Sequence, residues 1–162
     1  MTDKYMTVYL AGFIQGTVID KCTEWRKRLR ETYNNWNGKP YPINWLDPLN
    51  GERFDEISPD GLTGVMPPHA IVHKDYKCVD QADLIVCNMD TFGQERPLTG
   101  TICELAWAWQ LHKMIIMITD EPKYKFHPFL TYFASWIVPN VDVLIEEKII
   151  NQVYKSLHSA EY

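Results

Sequence analysis

The stretch "PLTGTICELAWA", residues 97–108, sets a Thr-Gly-Thr turn before an apolar helical run and places one acidic residue, Glu104, at the end of the first turn. Thr101 followed three residues later by Glu104 has the spacing of a capping box, in which the two side chains satisfy backbone N–H groups at a helix start. The same carboxylate could be a reagent. Near a helix N-terminus the macrodipole favours the ionised form, by about 0.3–1 kcal/mol when exposed and up to about 2 kcal/mol when partly buried. An ionised carboxylate beside a second acidic group is the equipment for attack at a sugar carbon with protonation of the leaving group. Asp75, in "HKDY", is the second acid, and the roles of cap and reagent are compatible for Glu104.

Other chemistries find less support. There is no GxGxxG and no Walker A sequence; "AGFIQG" holds only a glycine pair, so dinucleotide binding is unsupported and no cofactor is expected. The five histidines form no metal-ligand pair, and His73 and Asp75, at i and i+2 of a helix, do not share a face. Four cysteines without CxxC or Cys/His spacing read as free thiols, so no metal site is expected. Trp107 and Trp109 follow Glu104 on a helix against a sheet, where core packing is their default.

The elements that must position these groups follow from periodicity. "MTVYLAG" (6–12) is a strand, and apolar residues at Cys22, Trp25, Leu29 and Tyr33 predict an amphipathic helix from Asp20 to about Trp36. "YPINWLDP" (41–48) is a second strand. Residues 49–69, rich in Gly, Pro and Asp, form a long loop of the kind that is usually functional. Helical spacing resumes over 70–82, and "DLIVCNM" (83–89) is a continuous apolar run, as a strand buried on both faces should be. A polar loop (90–100), a helix from Thr101 to Leu111 and an apolar strand (113–119) complete a βαβ unit, whose sheet is parallel. Residues 138–157 add a short fifth strand and a closing helix. The fold expected is a small doubly wound α/β sheet, Rossmann-like or flavodoxin-like, with about five parallel strands flanked by helices.

Ligands of such sheets bind at the carboxyl ends of the strands, near the point where strand order reverses. That rule selects Gly12 and Phe13 after the first strand, Asp47 after the second, and Asp90, Leu98, Thr99 and Gly100 after the third, with Glu104 on the next helix. Asp75 lies near the start of the helix feeding the third strand and can face the same rim. Asp83, at that strand's entry, belongs to the opposite end and is structural.

Length and composition bound the partners. With 162 residues, 46% of them hydrophobic, the chain reads as a single domain, 1–162. A net charge of -5 without a Lys/Arg cluster argues against a nucleic-acid polymer. "WRKRLR" (25–30) reads as a solvated helix face, with Arg26 kept as a candidate phosphate group. No apolar run approaches the roughly 18 residues of a membrane span, and "MTDKYMTVYLAG" lacks the basic start of a signal peptide. No membrane partner and a cytoplasmic location are expected.

"VYLAG", "HKDYKCVDQADLIVCNMD" and "TGTICELAWAWQLHKMIIMI", in that order over most of the chain, resemble the nucleoside 2-deoxyribosyltransferase superfamily, which includes deoxynucleoside 5′-monophosphate N-glycosidases. Trp25–Arg26 in the first helix and "HPF" (127–129) are shared with its smaller members. The resemblance implies Glu104 as nucleophile, Asp75 as the carboxylate beside the reacting sugar and base, and Tyr9 as the strand tyrosine that orients the nucleophile. By residue type alone, Tyr9 reads as an aromatic strand residue of the core. Transferases of the family carry Asp six residues before the nucleophile to hold the 5′-hydroxyl, and monophosphate hydrolases carry Ser there. This chain has Leu98, which can do neither, with Thr99 beside it.

The family also implies a homo-oligomer, dimer or larger, with sites completed by a neighbour. The Asn that transferases lend is not visible after "HPF", and His127 or Asn140 are its candidate replacements. The expected activity is base exchange on 2′-deoxyribonucleosides through a covalent glycosyl-Glu104. The alternatives are a deoxynucleoside monophosphate N-glycosidase and an inactive nucleotide-binding module.

Overall fold

The computed structural model describes residues 4–14, 19–49, 57–58, 61–62 and 67–158. Its sheet is built from the apolar runs. β1 (Met6–Gly12), β2 (Ile43–Leu46), β5 (Leu84–Asn88), β6 (Met114–Ile118) and β7 (Trp136–Val138) lie in the order β2-β1-β5-β6-β7, every neighbouring pair parallel. A separate antiparallel pair, β3 (Ile57–Ser58) and β4 (Gly61–Leu62), falls within the long segment expected as a loop. The remainder of that expected loop between residues 50 and 66 lies outside the described residues.

Both faces of the sheet are buried, which is why β5 and β6 read as unbroken apolar runs rather than alternating ones. On one face Met6, Val8 and Leu10 pack against Trp25, Leu29 and Tyr33 of α1 (Ile19–Asn34), and against α6 (Val141–Glu146) and α7 (Ile149–His158) through Leu144 and Ile150. On the other, Tyr9, Ala11 and Phe13 pack with Val79 of α2 (Pro68–Gln81), Leu105 and Ala108 of α3 (Thr99–Gln110) and Leu130 of α5 (Pro128–Phe133). The period-2 alternation of β1 therefore sends Tyr9 alone of its immediate neighbours to the α2/α3 side. Strand order reverses between β1 and β5, so the crevice for ligands opens beyond Gly12 and Asn88, which are in register.

Several boundaries differ from expectation for identifiable reasons. α2 starts earlier, because Pro68 is pre-set for the first helical position; Asp75 therefore sits mid-helix rather than near its start. α3 also starts earlier, with Leu98 as an N-cap that makes no side-chain cap hydrogen bond. Glu104 thus lies in the second turn and Thr101–Glu104 is not a capping box. The fifth strand lies at 136–138, before most of the segment expected for it, and the closing helix is broken at Lys148, whose φ is 54°. Asn140 starts α6, its Oδ1 accepting the Val143 N–H at 2.9 Å. The Pro-initiated helices α4 (Pro122–Lys125) and α5 were not expected.

α3 ends in a Schellman arrangement: the His112 N–H bonds to the Trp109 carbonyl and the Lys113 N–H to the Ala108 carbonyl. His112 occupies the left-handed position, at φ 57°, where Gly is preferred. His112→Gly should therefore raise stability by about 1 kcal/mol. A urea-unfolding midpoint that stays the same or falls would contradict this.

Candidate active site

The buried stripe of α3 is Thr101, Glu104, Leu105 and Ala108, the i, i+3, i+4, i+7 pattern of a helix laid on a sheet. Three of these residues suit a core or its edge. Glu104 does not: it is 8% exposed and carries a carboxyl group. Its partner comes from the sheet, the Tyr9 hydroxyl donating to Glu104 Oε1 at 2.7 Å. This bond joins positions 95 residues apart and accounts for the polar end of Tyr9 in an apolar layer.

Four influences set the proton affinity of Glu104. Burial is the largest and pushes the carboxyl from 4.5 up to about 8. The hydrogen bond from Tyr9 opposes it, the charge of Asp75 adds to it, and the charge of Arg26 opposes it. Burial first, then the charges of Glu104 and Asp75, holds the Tyr9 phenol well above its ordinary range, so it stays a donor. Asp75, half-buried on α2, is thus in the electrostatic field of both groups. The Tyr76–Trp107 ring contact, with centroids 5.3 Å apart, ties α2 to α3 beside it.

The remaining candidates separate into three groups. Gly12, Arg26 and Asp47 form a buried clamp at the carboxyl end of β1. A Cβ at Gly12 would lie 3.0 Å from Trp25 Cζ2 and 3.2 Å from the Asn88 carbonyl oxygen, so a side chain there would require its neighbours to give way. Arg26 is 0% exposed. It donates to the carbonyls of Leu10 and Cys22, and through Nη2 to that of Gly12 at 3.3 Å, with Asp47 Oδ1 3.7 Å from Nε. Asp47 also holds Arg30 at 2.8 Å. Phe13 and Leu98 are apolar walls in the same core layer as Tyr9, while Thr99 and Gly100 are exposed at the start of α3. His127 is exposed at the N-cap of α5, 6.2 Å between centroids from Phe129, and among the described residues it makes no contact with Tyr9, Asp75 or Glu104. Asp83 accepts the Thr7 N–H at 2.7 Å at the other end of the sheet.

Cys78 was not singled out by the sequence. One turn beyond Asp75, its thiol is pushed up by burial and by the charges of Asp75 and Glu104; the i, i+3 spacing from Asp75 was the available signal. A separate cavity of about 660 Å³ opens at the carboxyl ends of β5, β6 and β7, lined by Trp25, Phe92, Thr119, Tyr124 and Asn140 among others, and it does not include Tyr9, Asp75 or Glu104. Among the described residues, no group of His, Cys, Asp and Glu could hold a metal ion, and no helix is long and apolar enough to cross a membrane.

The buried carboxylate and its tyrosine donor thus lie beside the point where strand order reverses, the part of a parallel α/β sheet at which ligands generally bind. The family model described as nucleoside 2-deoxyribosyltransferase matches residues 8–150, and the chain belongs to that family. Among solved structures it is similar to BlsM, at 17% identity over 96% of each chain with a TM-score of 0.58. It is also similar to the CMP N-glycosidase BcmB of Clostridium botulinum, at 15% identity over 90% of this chain and 98% of that one, TM-score 0.53. A 2-desoxiribosyltransferase from Leishmania mexicana matches at 20% identity over 72% of this chain, TM-score 0.49, and the match spans 65% of the Leishmania chain. At these identities the structural likenesses speak to the fold. No curated protein sequence gives a significant match.

The buried carboxyl has a consequence for stability. A group whose pKa rises from 4.5 in the unfolded chain to about 8 in the fold retains its proton on folding across that interval. Its contribution to stability is complete at pH below the unfolded value and is lost as pH rises towards the folded one, at about 1.4 kcal/mol per pH unit. Glu104→Gln is neutral throughout, so its stability relative to wild type should grow by about 2–4 kcal/mol between pH 5 and pH 8. Chemical unfolding at the two pH values checks this, and a pH-independent difference would count against a perturbed Glu104.

Proposed function

We propose that the protein cleaves the N-glycosidic bond of a 2′-deoxyribonucleoside and transfers the sugar to a second base, with Glu104 as nucleophile. The observation that carries this reading is the buried 2.7 Å hydrogen bond from Tyr9 to Glu104, beside the point where strand order reverses. Tyr9 engages one carboxylate oxygen and fixes its rotamer, leaving the other to form a bond to C1′ as the C1′–N bond breaks and its electron pair departs with the base. Asp75, on the neighbouring helix α2, arranges the proton for the departing base in this reading. A nitrogen of the incoming base then attacks C1′, Glu104 leaves as carboxylate, and two inversions give net retention.

A second reading, hydrolysis of a 5′-monophosphate, is favoured by one feature of α3. Its N-terminus lacks a side-chain cap, Gly100 has open space where a Cβ would be, and Leu98 is turned into the core. Backbone N–H groups at such a terminus suit a phosphate. Leu98 supplies no polar group for a sugar hydroxyl.

Glu104→Gln should fold and lose base release by about three orders of magnitude or more, because a neutral amide cannot form the glycosyl-enzyme. A 2′-fluoro substrate analogue should leave a sugar adduct on the peptide containing Glu104, detected by mass spectrometry. Near-normal activity in folded Glu104→Gln would sink the nucleophile assignment. Deoxyinosine with adenine should yield deoxyadenosine; release of free base from deoxynucleoside monophosphates without exchange would replace transfer by hydrolysis, and no turnover of either would leave a binding module.

The protein also acts, in this reading, as a homo-oligomer. Phe126 at the end of α4 and Phe129 and Tyr132 of α5 are exposed, and Trp109 of α3 makes tilted ring contacts with Tyr132 and Phe133; this aromatic surface is the proposed contact with a second copy. Light scattering at micromolar concentration should give a multiple of 19.0 kDa. A monomer mass would contradict the assembly.

A further inference from the structure

We propose that the cavity at the carboxyl ends of β5, β6 and β7 is a second binding site, apart from Glu104, for an uncharged planar heteroaromatic molecule of the size of a free nucleobase. The choice of a nucleobase follows from the proposed transfer, which releases one base and consumes another. The site itself stands whatever the role of Glu104, because its side walls come from α1 and α6, on the opposite face of the sheet from α2 and α3.

Three consecutive strands end at this cavity in small polar residues: Asn88 closes β5, Thr119 follows β6, and Asn140 lies just beyond β7. Each commits its oxygen to a nearby backbone N–H. Asn88 Oδ1 accepts from Asp90 at 3.0 Å, Thr119 Oγ1 from Glu121 at 3.1 Å and Asn140 Oδ1 from Val143 at 2.9 Å. What remains on each is a donor, two amide Nδ2 groups and one hydroxyl proton, and none of them is given to a partner among the described residues. Asn88 and Thr119 are 7% and 5% exposed, so their donors are available to little but an occupant of the cavity they line. The indole N–H of Trp25, another lining residue, is also buried without an acceptor among the described residues. Donors left unmet in such a place are costly, and a ligand that brings acceptors relieves them.

The walls narrow the class of ligand. The volume, about 660 Å³, is that of a small-molecule site, for which about 300–1,000 Å³ is usual. Phe92 and Tyr124, both half-buried, give a flat ring apolar surface to pack on. Phe92 holds a left-handed backbone, φ 53°, which a bulky residue adopts only under constraint, and such strain recurs at ligand clamps. Among the described residues five carboxylates and three cationic side chains line the cavity, and one of the cations, Arg28, is already paired with Asp142. That balance disfavours a phosphate. The carboxylates can accept the N–H and amino groups of a base, while the strand-end donors meet its ring nitrogens and carbonyl oxygens.

The test reads the cavity's own residues. In ¹H–¹⁵N spectra of the whole chain, adenine and hypoxanthine should each produce saturable shifts of the Trp25 indole signal and of the Asn88 and Asn140 side-chain amides, in wild type and equally in Glu104→Gln. Deoxyadenosine 5′-monophosphate at the same concentrations should leave them in place. Asn88→Asp keeps the oxygen that holds the Asp90 N–H and loses the amide donor, so adenine affinity read at the Trp25 indole should fall at least about tenfold. Should that variant fail to fold, Asn140→Asp decides, since Asp serves as an N-cap as well as Asn does and only the donor is lost; the same fall is expected. Shifts confined to the surroundings of Tyr9 and Glu104, or no shift of the cavity signals at millimolar base, overturn the proposal. An adenine affinity unchanged in the folded Asp variant also overturns it, as does a monophosphate that shifts the cavity signals as strongly as adenine.

Discussion

Everything around the crevice depends on one carboxyl group placed where a helix meets a sheet. The position of Glu104 is one that packing alone would give to an apolar residue, since its neighbours in the α3 stripe include Leu105 and Ala108. Burying a carboxyl there disfavours its charged form, and the structure compensates only in part. The Tyr9 hydroxyl and the Arg26 charge favour the anion while burial and Asp75 oppose it, leaving a pKa of about 8. The group is therefore poised between protonation states near neutral pH instead of being held firmly in one. Such a balance costs stability, and carboxyls perturbed in this way cluster at functional sites.

The fold makes that balance possible by drawing on distant parts of the chain. Because strand order reverses at β1, the helix after β1 packs on one face of the sheet and the helices leading into and out of β5 pack on the other. Tyr9 reaches α2 and α3 through one face while the backbone of the same strand is gripped from the opposite side by Arg26 on α1. Gly12 lets Trp25, Asn88 and Arg26 approach closely enough to complete the grip.

The sheet was legible in the sequence because strands buried on both faces leave unbroken apolar runs, as at 84–88 and 114–118. Adjacent ambiguities had physical causes. Thr101 and Glu104 have the spacing of a capping box, but three residues is also one step along a buried helical stripe, and both side chains are buried. Tyr9 as a partner of Glu104 could not be read from spacing, since only the family resemblance linked positions so far apart. Arg26 was considered for phosphate because it lies in a basic run; the helical phase that buries it with Trp25 and Leu29 was present in the same residues. The short helices at 122–133 escaped notice because their starts depend on proline rather than on an apolar period.

In the proposed reaction, Glu104, Tyr9 and Asp75 would not decide how the glycosyl-enzyme is resolved, since the same three groups would serve attack by a base or by water. The difference must come from what holds the substrate's 5′ end and from what closes the crevice. At the start of α3 the side chain of Leu98 belongs to the core, so it offers neither the carboxylate that grips a free hydroxyl nor the hydroxyl that supports a phosphate. Under the proposed function, recognition there would fall to the exposed first turn, Thr99 and Gly100, whose N–H groups are at the positive end of a twelve-residue helix. A backbone cradle of that kind discriminates by charge more than by shape, because oriented N–H groups favour any anion that fits. In the proposed reading, the group at the substrate's 5′ end is therefore a feature on which Leu98 departs from the family pattern.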